Sequence, residues 1–334
     1  MTREWKFRLL AAGIPTLIGL IIIIVFLIKR ENVVMKDGEV TFQTPPLYVQ
    51  EPGHEKTGHK YLFDEQLGWR NIPNWKASTY GQALTTNSKH LRDREYPFEK
   101  PVGTKRILVL GDSFAWGYGV SDKDIFTETL ENTFKRKKMP WEVINSGVSG
   151  WGNDQQYLYF TSEGVKYDPD IVVVAFYIGN DPTNNTNSIQ YGLSKPVFTD
   201  LDLTLANSPV PKPPTDTSTR ILSTVDKNAL TVRIFEKLAE RCAETGAKLV
   251  IMKFGVFQVP NNPVVRKAEA LFHAHLAKIQ SKLHYFDLDK AFSSKSFTAK
   301  QLTEGIEDGH WNVLGHRVVA DLLRSFLTTQ SLLN

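Results

Sequence analysis

From Lys105 to the C-terminus, short apolar runs alternate with longer stretches in which apolar residues recur every three or four positions. The short runs predict strands at residues 106–110, 141–145, 171–177, 248–254 and 284–288. The longer stretches predict helices over about residues 122–138, 154–163, 226–243, 263–282 and 312–327. Strands alternating with helices imply an α/β fold whose parallel sheet is covered on both faces. The run from Ile171 to Tyr177 is apolar on both faces, as a central parallel strand should be. In the last helix Leu314, Val318, Leu322 and Phe326 recur at four-residue spacing with Val319 and Leu323 beside them, which is one buried stripe.

Before that region the pattern differs. Residues 9–28 form an uncharged apolar run of about 20 residues, the length needed to cross a hydrocarbon core. Arg3, Lys6 and Arg8 precede it, and Lys29 and Arg30 come directly after. A cleaved signal peptide would have a shorter run ending in small residues, so an uncleaved transmembrane anchor is expected, with the lipid bilayer as its partner. Basic residues nearly balance across the span, so they vote weakly on orientation. We expect the short tail to stay inside and the large domain to be extracytoplasmic. The chain then divides into three segments: residues 1–30 as tail and anchor, 31–103 as linker and lead-in, and 104–334 as the main domain. Residues 67–74 and 85–92 read as loops and short strands laid against that domain. Between Asp181 and Ser223 the alternation stops at an Asn-rich and then a Pro-rich stretch. An insertion this long, leaving a strand end, is either a flap over a site or a disordered loop.

Composition narrows the classes. With 334 residues, 41% hydrophobic and 23% charged, the chain holds one sizeable domain with an appendage, or two small ones. A net charge of +4 is too balanced to argue for a nucleic-acid partner. The single cysteine, Cys242, excludes an intrachain disulfide and a cysteine-based zinc site, and reads as a small core residue.

The candidate chemistry sits at predicted strand ends. Gly111-Asp112-Ser113 comes after the first strand, Asn145 to Gly150 after the second, and Gly179-Asn180-Asp181 after the third, while Glu307 to Asn312 precede the last helix. In an open α/β sheet these share the carboxyl edge, where ligands bind. Serine is a weak nucleophile until a neighbouring base activates it. His310 has an imidazole whose ordinary pKa lies near neutrality. Asp308 can orient that ring and stabilise its charged form. The Ser113 N–H, the Gly150 N–H and the Asn180 side-chain amide are the candidate donors to a developing oxyanion. Asp112 is expected to hold the nucleophile turn by hydrogen bonding.

These four blocks, in this order, resemble the SGNH or GDSL-type hydrolases over roughly residue 105 to the C-terminus. The resemblance implies a flavodoxin-like three-layer α/β/α sandwich, ester hydrolysis with no metal or cofactor, and a triad of Ser113, His310 and Asp308. It implies an oxyanion hole of Ser113, Gly150 and Asn180, supported by Gly111, Asp112, Gly179 and Glu307. In the common family pattern two residues separate acid and base. Here only Gly309 separates Asp308 from His310, and Glu307 stands at the usual distance. Asp308 is the assigned acid and Glu307 the alternative.

Other residues carry plainer expectations. His316 reads as a packed or surface histidine. His273 and His275, two apart on a helix, do not share a face for a metal. Trp116, Trp151 and Trp311 each stand just after a site block and are either packing or platforms for a sugar. The expected activity is serine-dependent hydrolysis of an O-acyl ester, with acetyl groups on an envelope or secreted carbohydrate as the leading substrate. An O-acyltransferase, a lysophospholipase or lipase, and a non-catalytic glycan-binding protein are the alternatives.

Overall fold

The structure is a computed structural model that describes residues 33–36, 39–42, 47–50, 58–212, 219–257, 262–306 and 309–333. The apolar run 9–28 lies outside them. Among the described residues no helix is long and apolar enough to cross a membrane. Met1–Leu47 and Tyr48–Asn334 are separate compact units. In the first, β1 (Val33–Lys36) and β2 (Glu39–Phe42) pair as an antiparallel hairpin.

The second unit opens with an antiparallel sheet of β3 (Tyr48–Val49), β4 (Tyr61–Asp64) and β5 (Gly68–Asn71). A hairpin of β6 (Lys76–Thr79) and β7 (Gln82–Thr85) comes next. The alternating region then runs β8 (Lys105–Gly111), α1 (Ser113–Trp116), α2 (Phe126–Arg136), β9 (Trp141–Asn145), α3 (Asn153–Ser162) and β10 (Ile171–Tyr177). After α4 (Asp181–Asn184) come two short hairpins, β11 (Ile189–Gln190) with β12 (Leu193–Ser194) and β13 (Val197–Phe198) with β14 (Leu205–Ala206). The chain closes with α5 (Lys227–Glu244), β15 (Lys248–Phe254), α6 (Pro263–Leu276), β16 (His284–Asp287), α7 (Leu288–Ser294), α8 (Ala299–Thr303) and α9 (Val313–Thr329).

The main sheet has five strands in the order β9-β8-β10-β15-β16, all parallel. Counted along the chain this is the flavodoxin-like order 2-1-3-4-5, whose direction of winding reverses between β8 and β10. Alternate strand residues separate the two faces. Ile107, Val109, Val143, Val173, Val250 and Met252 join one core with Phe126, Leu130 and Phe134 of α2 and Val319 and Leu323 of α9. On the other face Phe176 meets Phe235 of α5 and Phe272 of α6 at ring-centroid distances of 5.2 and 4.9 Å. Helices therefore cover both faces, as the uninterrupted apolar run of β10 requires.

Two predicted helices are interrupted. The stretch 122–138 begins as a 3₁₀ turn at Asp122–Asp124, passes through extended Ile125, and restarts as α2. Ile125 is drawn out of the helix because its side chain fills the space beside Gly117, where a Cβ would lie 2.6 Å from Ile125 Cγ1. The stretch 263–282 stops at Leu276 and ends in a separate 3₁₀ turn, Gln280–Lys282. The insertion after β10 is ordered in its described part. Lys195 is its anchor, with its ammonium buried against Asp154 and donating to the Pro196 carbonyl at 3.1 Å.

Candidate active site

Ser113 stands at the carboxyl end of β8, at the switch point of the sheet. A sharp turn is needed here to leave the strand and enter α1, and Asp112 makes it. Its carboxylate accepts the Phe114 N–H at 2.9 Å, capping the short helix. Gly111 is required just before it, because a Cβ there would fall 2.6 Å from the Ala115 Cβ. The Ser113 hydroxyl lies 2.7 Å from His310 Nε2, although 197 positions separate the two residues.

His310 is placed by the start of α9, two residues on. Asn312 caps α9 by accepting the Gly315 N–H at 2.9 Å, and its own amide donates to the carbonyls of Gln301 and Glu304 at 3.0 and 3.2 Å. The imidazole is stacked between Phe114 and Tyr118, at centroid distances of 4.4 and 4.2 Å and interplanar angles of 25° and 22°. This sandwich fixes the ring plane and leaves its edge facing the serine. Asp308 and Glu307 lie outside the described residues.

The oxyanion candidates line the same cavity, of about 420 Å³, with Ser113 and His310. Among the described residues neither the Ser113 nor the Gly150 N–H reaches a protein acceptor. Gly150 has φ +81°, which glycine adopts without strain, and a Cβ there would meet the Tyr191 ring at 3.0 Å. The loop that carries it is tied to the nucleophile helix: Asn145 donates to the Ala115 carbonyl at 2.9 Å and accepts the Gly147 N–H at 2.9 Å. Asn180 donates to the Tyr191 hydroxyl at 3.2 Å. Gly179 turns the chain tightly past Tyr177, whose ring would lie 2.5 Å from a Cβ there.

Beneath this surface lies a buried polar layer. Burial pushes the Asp112 carboxyl up to about 7, against the pull of the Phe114 N–H and the Asn180 amide. Burial raises Asp181 well above the carboxylate range, and the charge of Asp112 raises it further. Asp181 accepts from the Asn153 amide at 3.1 Å and the Tyr177 N–H at 3.2 Å. Asn185 donates to Asn153 at 3.2 Å and to the Thr231 hydroxyl at 2.8 Å. One network thus joins the loops after β9 and β10 to α5.

His316 is buried one turn into α9, where its Nδ1 accepts the Phe126 N–H at 3.2 Å. Burial, then the charge of Arg92 and the neighbouring His310, lowers its pKa to about 3. It is a structural cap for α2 and neutral in the folded state. The unfolded chain binds a proton at this position near pH 6.5, so the fold loses stability as pH falls below that value. Between pH 7 and pH 5 the loss traceable to His316 is expected to be about 2 kcal/mol. Denaturant titrations of wild type and His316→Gln at both pH values measure it, as a smaller acid-side loss in the variant.

Sequence reading missed most of what holds the site. Residues 58–96 contribute directly. The Trp69 indole donates to the Ser149 carbonyl at 3.0 Å, and the Trp151 indole donates to the Trp69 carbonyl at 2.8 Å. Asn71 accepts from the Trp116 indole at 3.1 Å. Arg92 is buried; its guanidinium donates to the Trp116, Gly117, Val120 and Ala83 carbonyls, bonds Asp122 at 2.8 Å, and lies over the Trp116 ring. A charged side chain committed to four backbone carbonyls carries no periodicity, so spacing did not reveal it. Of the two readings of Trp116, Trp151 and Trp311, packing holds and the sugar platform does not: all three are buried. The aromatic rings at the cavity are Phe114 and the tyrosines Tyr80, Tyr118, Tyr177 and Tyr191 instead.

Among the described residues His275 is not part of the cluster of ligand-type atoms around His273. His273 Nε2 lies 2.8 Å from the Tyr285 hydroxyl, and its nearby acids Glu269 and Asp287 face the buried Lys253 ammonium, which supplies their counter-charge. Cys242 is buried, and burial pushes its thiol up to about 12.

A strand-end serine bonded to an imidazole, beside N–H donors that face a cavity in a flavodoxin-like sheet, is the equipment of a serine hydrolase. The chain belongs to the GDSL-like lipase/acylhydrolase family, whose sequence profile matches residues 109–318. It is a GDSL-type esterase. Among solved structures it is similar to an acetylxylan esterase from Geobacillus stearothermophilus, at 15% identity and a TM-score of 0.46 over 68% of this chain and 95% of that one. It is also similar to a lipase/acylhydrolase from Enterococcus faecalis, at 17% identity and a TM-score of 0.41 over 68% of this chain and 97% of that one. No curated protein matches the chain.

Proposed function

We propose that the chain is a serine esterase that removes O-acetyl groups from carbohydrate at the cell envelope, held there by the anchor of residues 9–28 with its catalytic unit outside the cytoplasm. The observation that carries the serine chemistry is the 2.7 Å contact between the Ser113 hydroxyl and His310 Nε2. The Ser113 oxygen attacks the ester carbonyl as its proton passes to His310. The carbonyl oxygen becomes an oxyanion facing the N–H groups of Ser113 and Gly150 and the Asn180 amide. The C–O bond to the sugar breaks, and the departing oxygen takes the proton from His310. Water, deprotonated by the same imidazole, then releases acetate and frees Ser113. Asp308 orients His310 throughout.

One feature supports a sugar alcohol: tyrosines, each an apolar face with a polar edge, wall the cavity, and such rings suit the mixed surface of a pyranose. The full-length enzyme is expected to release acetate from acetylated polysaccharide and to transfer none to an added glycan. Free acetate and acetylated acceptor, measured side by side, check both halves; transfer in place of release would make it an acyltransferase. In the same assay Asp308→Asn is expected to lose at least about a thousandfold in kcat, and Glu307→Gln less than about tenfold. The reverse order would move the acid to Glu307.

A further inference from the structure

The insertion puts one ring onto the oxyanion loop at a visible structural cost. Tyr191 and Gly192 are the two central residues of the β11–β12 hairpin, and both have positive φ, +51° and +72°. A two-residue turn of this kind demands left-handed backbone at both positions and is normally filled by Asn, Asp or Gly. Gly192 obeys the preference; a bulky aromatic at the first position violates it and stores strain. Core packing does not explain the choice, since Tyr191 stays 38% exposed. Its contacts go to the site instead. Its ring lies where a Gly150 side chain would be, 3.0 Å from a Cβ built there, and its hydroxyl accepts the Asn180 amide at 3.2 Å.

The chemistry assigns this corner a role. In the tetrahedral intermediate the departing oxygen must face His310 Nε2, so the alcohol leaves past Tyr118 and Tyr80. The oxyanion faces the Ser113, Gly150 and Asn180 donors. The acyl tail, on the same carbon as the oxyanion, leaves on the side away from His310, and the rings against the oxyanion loops are Tyr191 over Gly150 and Tyr177 against Gly179. We propose that Tyr191 sets the acyl chain length, its ring closing the acyl end of the cavity so that acetyl fits and longer chains must displace the turn. This rests on Ser113 being the acylated nucleophile.

The test is kcat/KM of the full-length enzyme on aryl acetate, butanoate and hexanoate, for wild type, Tyr191→Phe and Tyr191→Asn. Asparagine suits the left-handed turn, so this variant should melt no lower than wild type while the ring is gone. Its hexanoate-to-acetate ratio should rise at least about tenfold. Tyr191→Phe keeps the ring and should keep the wild-type ratio. A ratio in Tyr191→Asn within about twofold of wild type overturns the proposal and leaves the esterase reading intact. A wild type that prefers hexanoate overturns it as well. Absence of Ser113-dependent hydrolysis of every ester would instead bring down the reading on which the proposal rests.

Discussion

Ser113→Ala is expected to abolish turnover of aryl acetate, by on the order of 10⁴-fold or more in kcat. The reason is chemical: alanine has no oxygen to carry the acyl group, and water in its place lacks a fixed position. The substitution removes one oxygen at the cavity and leaves the Asp112 cap of α1 in place, so folding should be unchanged. An active-site fluorophosphonate adds a direct readout, because it bonds only to an activated oxygen nucleophile. Wild type should be labelled at one residue and the variant not at all, with equal melting temperatures. Equal labelling of both would remove this serine from the reaction. His310→Ala should fail in the same assay, since the hydroxyl then loses the imidazole it is bonded to. The two losses should not add, because serine and imidazole act as one unit.

Lys195→Met is expected to cost about 3–5 kcal/mol of stability and to lower Tm by roughly 6–15 °C. Lys195 and Asp154 have side chains only 0% and 1% exposed, and each is the other's ionic partner. Burial raises the Asp154 carboxyl and lowers the Lys195 ammonium, and in each case it outweighs the partner's opposing charge. The pair is thus a costly feature that becomes far costlier when halved. The double variant Lys195→Met/Asp154→Leu should recover most of the loss, because no unpaired charge remains. A thermal or urea denaturation series on the four proteins decides it. Asp154 comes directly after Asn153, which bonds Asp181 at the foot of the site. We therefore expect Lys195→Met to lower kcat even at temperatures where it stays folded. Equal stability of the single variants and wild type would show that water reaches the pair.

The parallel sheet was legible because its strands carry a local signal. Ile171 to Tyr177 could be apolar throughout only if buried on both faces, and helices do cover both. The core stripe of α9 was legible for the same reason: Val319, Leu322 and Leu323 face inward at helical spacing, and Leu314 at its start is left exposed. The nucleophile and base were legible through their neighbours. Gly111 and Asp112 mark a strand-to-helix turn, and Asn312 marks the start of a helix. The interruption at Ile125 was not legible, because it answers to Gly117 and His316, which lie elsewhere in the chain.

By itself the amino-acid sequence determined the succession of strands and helices, the edge on which the chemistry sits, and the identity of the serine and imidazole. These depend on periodicity and on turn residues a few positions apart. Only the tertiary structure decided that three tryptophans beside the site are buried while four tyrosines line it, and that Arg92 and Asn71 brace the nucleophile turn. It also brought Tyr191 from the insertion onto Gly150. Such contacts join residues tens of positions apart through backbone carbonyls, which every residue type offers, and through ring faces whose partners are fixed only by the fold, so they leave no pattern along the chain.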